Sequence, residues 1–351
     1  MDVNKLLRDN IRKLKPYSSA REEYTGNEAV FLDANENPYN IPLNRYPDPL
    51  QKGLKKAISA IKNVSEENIF LGNGSDEAID LLIRIFCEPG IDNVLGVDPS
   101  YGMYEVCAAI NNVEYRKVLL TGNFQPDVGK ITQVADENSK LLFLCSPNNP
   151  TGNLFDENIV KSLLETFRGV VVIDEAYIDF AEREGFAGRL EQYENLVVLQ
   201  TFSKAWGLAG IRLGMAFASP EIIKYLSNIK YPYNVNILTQ EKALEELKDT
   251  RKKDDWVKEI LKQREWLMHE LQRLDIVRKV FPSDANFFLI RVKEPQVIYD
   301  FLVDRKIIIR DRSKVSLCEG CLRITVGTPE ENELLVKALV EFETRKKNMP
   351  V

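Results

Sequence analysis

Lys204 stands in TFSKAWGLAGIRLG, residues 201–214, directly after an apolar stretch, among small residues and with a second cation, Arg212, in the same segment. A lysine that is partly desolvated and close to another positive charge has a lowered pKa, which exposes a nucleophilic amine. By itself the segment reads equally well as a surface lysine in a glycine-rich turn. Its company alters that reading. VVVIDEAY, residues 170–177, ends an apolar run on Asp174 and continues through Glu175 to Tyr177; LLFLC, residues 141–145, runs into SPNNPTG, where two prolines and a glycine fix a loop around Asn149. IFLGNGSDEAIDLLI, residues 69–83, passes through Gly72, Gly74, Ser75 and Asp76 into a helical pattern. Glycine turns at helix N-termini offer backbone N–H groups and a positive dipole to a phosphate. Singly, Asp174 could be an N-cap, Tyr177 a packed aromatic and the glycine turn a plain helix start. Together they supply an amine, an acid, amide and hydroxyl donors and a phosphate cradle, the set that pyridoxal phosphate requires.

These groups need strand ends gathered at one edge. Short apolar runs recur at 69–72, 93–97, 141–145, 170–174, 196–200 and 214–218 without polar alternation, as in strands buried on both faces of a parallel sheet. Between them Ile79, Leu82, Ile83 and Phe86, then Val160, Leu163, Leu164 and Phe167, repeat at helical spacing. This alternation predicts an α/β fold, a mainly parallel sheet with helices on both faces, whose strand ends form the ligand edge. Beyond residue 220 the pattern changes. Helical character runs through Glu221–Lys230 and Gln240–Arg273, strand-like segments follow at 286–292, 306–311 and 322–327, and Thr328-Pro329-Glu330-Glu331 opens a last helix with a capping box. The expected division is a large domain at 46–240 and a smaller α+β domain made of 1–45 and 241–351.

Composition narrows the chemistry. Of 351 residues, 47 are lysine or arginine and 53 are acidic, for a formal net charge of −6, which argues against a nucleic-acid binder. The one histidine, His269, lies in an amphipathic helical stretch, which excludes a multi-histidine metal site or paired catalytic histidines. Five cysteines suit free thiols in a reducing, cytoplasmic setting better than a disulfide framework, and Cys318 and Cys321 form a CxxC without a partner motif. No apolar run near the N-terminus has the length of a membrane helix.

The order GSDE, PNNPTG, DEAY, SKAWGLAGIRLG and LRITVG resembles the fold-type I, pyridoxal-phosphate-dependent aminotransferases across nearly the whole chain. NIRKLKPYSSARE at 10–22, LDANENP at 32–38, NRYPDP at 44–49, PSYGMYEV at 99–106 and RITVGTPEEN at 323–332 are similar to the histidinol-phosphate aminotransferases within that family. The resemblance implies that Lys204 is the Schiff-base lysine and proton carrier, that Asp174 pairs with the pyridine nitrogen, that Asn149 and Tyr177 serve the phenolic oxygen, and that the ring stacks on Tyr101. It implies a phosphate held by Gly74, Ser75, the Asp76 backbone, Ser203 and Arg212, with Tyr46 reaching in from the other subunit of a homodimer. Arg323 would bind the substrate's distal anion, and Tyr17, Asn35 and Arg310 would line the substrate side. Arg310 reads otherwise as a strand-edge charge paired with Asp311 or Asp304, and Tyr17 as a packing corner beside Pro16. Trp206 departs from the smaller aromatic common in the family. The implied reaction exchanges an amino group between histidinol phosphate and 2-oxoglutarate, giving imidazole acetol phosphate and glutamate, in histidine biosynthesis. The rivals are a phosphothreonine decarboxylase or aromatic aminotransferase on the same fold, and a non-catalytic ligand-binding domain.

Overall fold

The structure is a computed structural model that describes residues 3–17 and 30–348. Its larger sheet contains β1 (Ile69–Asn73), β2 (Asn93–Asp98), β3 (Glu114–Leu119), β4 (Ser139–Cys145), β5 (Val170–Asp174), β6 (Leu196–Thr201) and β7 (Leu213–Ala218), in the order β1-β7-β6-β5-β4-β2-β3. The strands from β3 to β6 are parallel neighbours, whereas β7 is antiparallel to both β6 and β1. The apolar run at 214–218 therefore belongs to the one reversed strand of this sheet, and the reason is local. Between Thr201 and Leu213 the chain makes only a turn with a short 3-10 segment, Ala209–Ile211, too little for the helical crossover that a parallel return needs.

Burial on both faces follows from the uniform strand composition. In β5, Val170 and Val172 join the apolar cluster on one side of the sheet, while Val171 and Ile173 join the cluster on the other. The Ser75–Phe86 helix covers the first side with Ala78, Ile79, Leu82 and Phe86; Val160, Leu163 and Leu164 of the Glu157–Thr166 helix cover the second. Glu114–Leu119 is an edge strand with charged, largely solvated side chains, so it carries no apolar run in the sequence.

A second sheet contains β8 (Val277–Val280), β9 (Phe287–Val292), β10 (Arg310–Asp311) and β11 (Cys321–Thr325), antiparallel throughout, in the order β10-β11-β9-β8. Phe288, Ile290, Leu322 and Ile324 pack on Leu267, Leu271, Ile298, Leu302, Leu335 and Leu339 of its helices. The expected strand at 306–311 reduces to its last two residues: Lys306 has a left-handed φ of 60°, and Ile308 is largely exposed. The expected helix at Gln240–Arg273 is two helices, Ile237–Glu246 and Arg251–Gln272, and the second carries His269 with its side chain in solvent. The last helix, Pro329–Lys347, opens with the expected capping box between Thr328 and Glu331. Tyr177, Ala205, Val257, Ala285 and Phe287 form a small cluster between the two sheets, beside the parallel strands' C-terminal ends.

Candidate active site

Gly74, Ser75, Asp76, Tyr101, Asn149, Asp174, Tyr177, Ser203, Lys204 and Arg212, named in the sequence from separate motifs, all line one cleft of about 630 Å³. The topology explains the convergence. Asp174 ends β5, Cys145 ends the neighbouring β4 in register with it, and Lys204 follows β6 by three residues.

At the cleft floor Asp174 is 2% exposed. Tyr104 donates from its hydroxyl to Asp174 Oδ2 at 2.7 Å, and the Ala176 N–H donates to Oδ1 at 3.1 Å. Burial raises the Asp174 pKa to about 6 against these hydrogen bonds and the Lys204 charge, with Asp76 reinforcing the rise. No helix starts at Asp174, so the helix N-cap alternative does not hold; the Ala176 contact closes a local turn at the strand end. Lys204 opens into the cleft, its Nζ 5.6 Å from the centre of the Tyr177 ring. Protein atoms crowd the amine nonetheless. Their desolvation lowers its pKa, Arg323 and Arg212 add to the effect, and Asp174 and Asp76 oppose it.

The phosphate-cradle geometry depends on two glycines. Gly74 takes φ 73° and ψ 170°, a region essentially restricted to glycine, and an added Cβ would lie 2.7 Å from Arg212 Nη2. Gly214 in β7 passes beneath the turn so closely that a Cβ there would lie 2.2 Å from the Ser75 backbone nitrogen. Gly74 N–H donates to the Arg212 carbonyl at 2.8 Å, which ties the turn to the left-handed residue Arg212, φ 54°. No side chain caps the Ser75–Phe86 helix. Its first N–H groups, the Ser203 hydroxyl and the Arg212 guanidinium therefore face one space and could hold an anion, with Asp76 beside them through an Arg212 contact at 3.7 Å and a Tyr101 hydroxyl bond at 3.2 Å.

Arg323 connects the small sheet to this cleft. Its Nη1 donates to Asn149 Oδ1 at 2.5 Å, and Asn149 Nδ2 donates to the Tyr177 hydroxyl at 3.4 Å. Arg310 lies directly opposite Arg323 in the β10–β11 register, and the Arg312 N–H continues that pairing to the Cys321 carbonyl, which puts three arginines in alternate positions. Among the described residues Arg310 forms no ion pair with Asp304 or Asp311, and the buried Arg323 Nε has no hydrogen-bond partner. Burial and the charges of Arg312 and Arg310 lower the Arg323 pKa.

Five expected site residues are outside the cleft lining of this chain: Arg323, which borders it through Asn149, Arg310 across the strand pair from Arg323, and Tyr17, Asn35 and Tyr46. Tyr17 and Asn35 are exposed, Asn35 with φ 54°, and Tyr46 is 48% exposed and stacked on Tyr233 at 4.4 Å. Trp206 is buried against Phe202 and lines none of the cleft, so it adds packing below the lysine turn. Cys318 and Cys321 are buried free thiols of the core. The sequence reading passed over Tyr104, Cys145 and Arg312. Cys145 is recoverable as the last residue of an apolar run, and Arg312 from its alternation with Arg310; Tyr104, within PSYGMYEV, carries no signal of its own in the sequence.

A buried acid, a desolvated amine, a glycine-dependent anion cradle, an aromatic wall at Tyr101 and an amide–phenol pair fit pyridoxal phosphate, whose ring nitrogen, aldehyde, phosphate, ring face and phenolic oxygen call for those groups in turn. Fold and cleft define a fold-type I pyridoxal-phosphate enzyme. The family model described as aminotransferase class I and II matches residues 27–339. A histidinol-phosphate aminotransferase of Cytophaga hutchinsonii is 57% identical over 344 residues, which cover 97% of this chain and 99% of that one. Among solved structures, the histidinol-phosphate aminotransferase from Clostridium acetobutylicum has a TM-score of 0.80 at 27% identity, covering 89% of this chain and 98% of that one. L-threonine-O-3-phosphate decarboxylase from Porphyromonas gingivalis has a TM-score of 0.73 at 27% identity, covering 86% and 91%. The chain belongs to the class I and II aminotransferases, the pyridoxal-phosphate-dependent transaminases, in the branch of the histidinol-phosphate aminotransferases.

Proposed function

We infer that the chain catalyses reversible amino transfer between histidinol phosphate and 2-oxoglutarate, giving imidazole acetol phosphate and glutamate, as a step of histidine biosynthesis. The full-length 57% identity to a histidinol-phosphate aminotransferase carries the reading. The arginines of the small sheet agree with it. One pocket must accept both a phosphate and a carboxylate, and a guanidinium takes either in forked geometry.

In this reading the Gly74–Asp76 N–H groups, Ser203 and Arg212 hold the cofactor phosphate, Asp174 the ring nitrogen, Asn149 and Tyr177 the phenolic oxygen, and Tyr101 the ring face. When bound, the cofactor supplies an electron sink for the carbanion left at the donor's α-carbon. Lys204 Nζ would hold the cofactor and serve as the base that takes a proton from the donor's α-carbon; its lowered pKa leaves a larger share of the free base for this work. Arg323 orients the donor by its distal anion, and its bond to Asn149 couples that recognition to the phenolic-oxygen pair. Arg310, Tyr17 and Asn35 complete the substrate side.

The small domain, in its 241–351 part, carries these arginines toward the large domain of 46–240; of the 1–45 part assigned with it, Val3 and Leu7 pack instead in the apolar cluster of the Ser75–Phe86 helix. The working unit in this reading is a homodimer in which Tyr46 of each chain reaches the phosphate held by the other. The exposure of Leu32, Tyr39 and Ile41 near Tyr46 supports a covering partner, and five free thiols support a cytoplasmic location.

The test compares amino transfer from histidinol phosphate to 2-oxoglutarate with carbon dioxide release from phosphothreonine and with transfer from phenylalanine. Amino transfer from histidinol phosphate should dominate; preferential decarboxylation, or preference for the unphosphorylated aromatic donor, would overturn the substrate. Lys204→Ala should lose both turnover and the cofactor absorbance band of the loaded protein, and retention of both would remove the site.

A further inference from the structure

Tyr104 touches neither the cleft surface nor solvent: its side chain is fully buried, stacked on Phe143 with ring centres 4.7 Å apart and edge-on to Tyr101 at 5.5 Å. Its hydroxyl donates to Asp174 Oδ2 at 2.7 Å and also meets the Cys145 thiol. We propose that Tyr104 is a positioning residue that holds the Asp174 carboxylate in one orientation and keeps it an anion for the cofactor's ring nitrogen, an inference that rests on the assignment of Asp174 to that nitrogen.

A carboxylate this deep tends to take up a proton and lose its charge, and hydrogen bonds donated to the anion are what oppose that. Asp174 receives two, from the Ala176 N–H on Oδ1 and from Tyr104 on Oδ2. The first belongs to its own turn and comes with the fold. The second arrives from the Met103–Ile110 helix and depends on one side chain. The remaining groups facing Asp174 do not replace it. Lys204 favours the anion and Asp76 disfavours it, while Cys145, Tyr101 and Tyr177 are all kept protonated by burial and by nearby acids. Tyr104 itself is also held in its protonated form, chiefly by burial, so it stays a donor throughout the working pH range. Stacking on Phe143 fixes the ring, which leaves the hydroxyl little freedom to turn away. One short segment thus brings an aromatic wall for the ring, Tyr101, and a prop for the acid beneath it.

Tyr104→Phe removes the one oxygen and keeps the packing, so the fold should survive, as checked by circular dichroism. A hydrogen bond to a charged group accounts for about tenfold to a hundredfold in an equilibrium. The variant should bind pyridoxal phosphate about ten to a hundred times more weakly, and the pH midpoint of the bound cofactor's absorbance should move by about one to two units. kcat should fall while KM for the amino donor stays within about threefold. Tyr104→His keeps an N–H donor and should recover part of the shift; it also carries the test if the phenylalanine variant does not fold. Asp174→Asn is measured beside them, alone and combined with Tyr104→Phe. If Asp174→Asn changes cofactor affinity and absorbance, adding Tyr104→Phe to it should do nothing further. A folded Tyr104→Phe protein with affinity and absorbance midpoint unchanged within twofold overturns the proposal, as does full additivity of the two substitutions. If Asp174→Asn itself leaves both readouts unchanged, the assignment of Asp174 fails instead.

Discussion

Asp174→Asn should stabilise the cofactor-free protein at neutral and alkaline pH while weakening its hold on pyridoxal phosphate. In the unfolded chain this carboxyl ionises near 3.8; in the fold its pKa is about 6, because burial outweighs the two hydrogen bonds. A pKa raised in the folded state means stability that is fully present below about pH 4 and is lost as pH rises through 6, since the unfolded chain releases its proton first. Two units at about 1.4 kcal/mol each amount to about 3 kcal/mol lost over that window, an upper value. Asparagine has the same shape and no charge. Its oxygen can accept from Ala176 N–H and its NH₂ can donate to the Tyr104 oxygen, so neither neighbour is orphaned. With about 2.1 cal/mol/K of unfolding entropy per residue, 3 kcal/mol corresponds to a Tm rise of about 4 °C for this chain. Cofactor-free wild type and variant should be melted at pH 4 and pH 8: the variant should gain at pH 8 and show little difference at pH 4. Equal stability at pH 8, or an equal gain at both pH values, would refute the reasoning.

Glu175 follows the same logic on the other side of the strand. Burial raises its pKa to about 7, so Glu175→Gln should flatten the loss of cofactor-free stability between about pH 4.5 and 7; Gln200 can flip its now unpartnered Oε1 toward the new amide. Urea midpoints across that range measure it, and an unchanged slope counts against it. Gly74→Ala should cost about 1–3 kcal/mol from its backbone angles alone and, by displacing Arg212, weaken pyridoxal phosphate binding at least tenfold; equilibrium dialysis showing wild-type affinity would contradict this. Arg323→Lys should lower kcat/KM for both glutamate and histidinol phosphate by about ten to a hundredfold, because lysine cannot form the fork. Arg310→Gln should harm histidinol phosphate more than glutamate, and steady-state kinetics with the two donors distinguish the cases.

The large sheet was legible because its central strands are buried twice over. Val170–Ile173 must be apolar at every position, and that demand writes an unbroken run into the sequence. Glu114–Leu119 and Val277–Val280 escaped for the complementary reason: an edge strand is held by main-chain hydrogen bonds from one side and its side chains stay wet. Direction was hidden too. The apolar run 214–218 looks like its parallel neighbours, and only the short link after Thr201 forces it to reverse. In the site, residues at strand ends such as Asp174 and Lys204 stood out because a polar group after an apolar run is conspicuous. Tyr104 was not, since a tyrosine inside a helix looks the same whether its hydroxyl meets water or a buried carboxylate. Tyr17, Asn35 and Tyr46 came from resemblance alone, and a single chain does not bring them to the cleft.

The net charge of −6 was a sound argument about partners of the whole surface, yet the cleft inverts it. Around the space that the cofactor and substrate would share stand Lys204, Arg212 and Arg323, with Arg310 and Arg312 alongside, against the carboxylates of Asp76 and Asp174. Burial first, and the neighbouring cations after it, lower the pKa values of Lys204 and Arg323. An anion bound among these groups would favour their charged forms. Two phosphates, one on the cofactor and one on histidinol phosphate, would bring up to four negative charges to these groups, whereas glutamate replaces the second phosphate by one distal carboxylate. Preference for the phosphorylated donor should therefore weaken as ionic strength rises, because the exposed Arg310 is screened before the half-buried Arg323. The ratio of kcat/KM for histidinol phosphate to that for glutamate, followed from low to high salt, reads this directly. A ratio independent of salt would mean that the outer arginines do not sense the second phosphate.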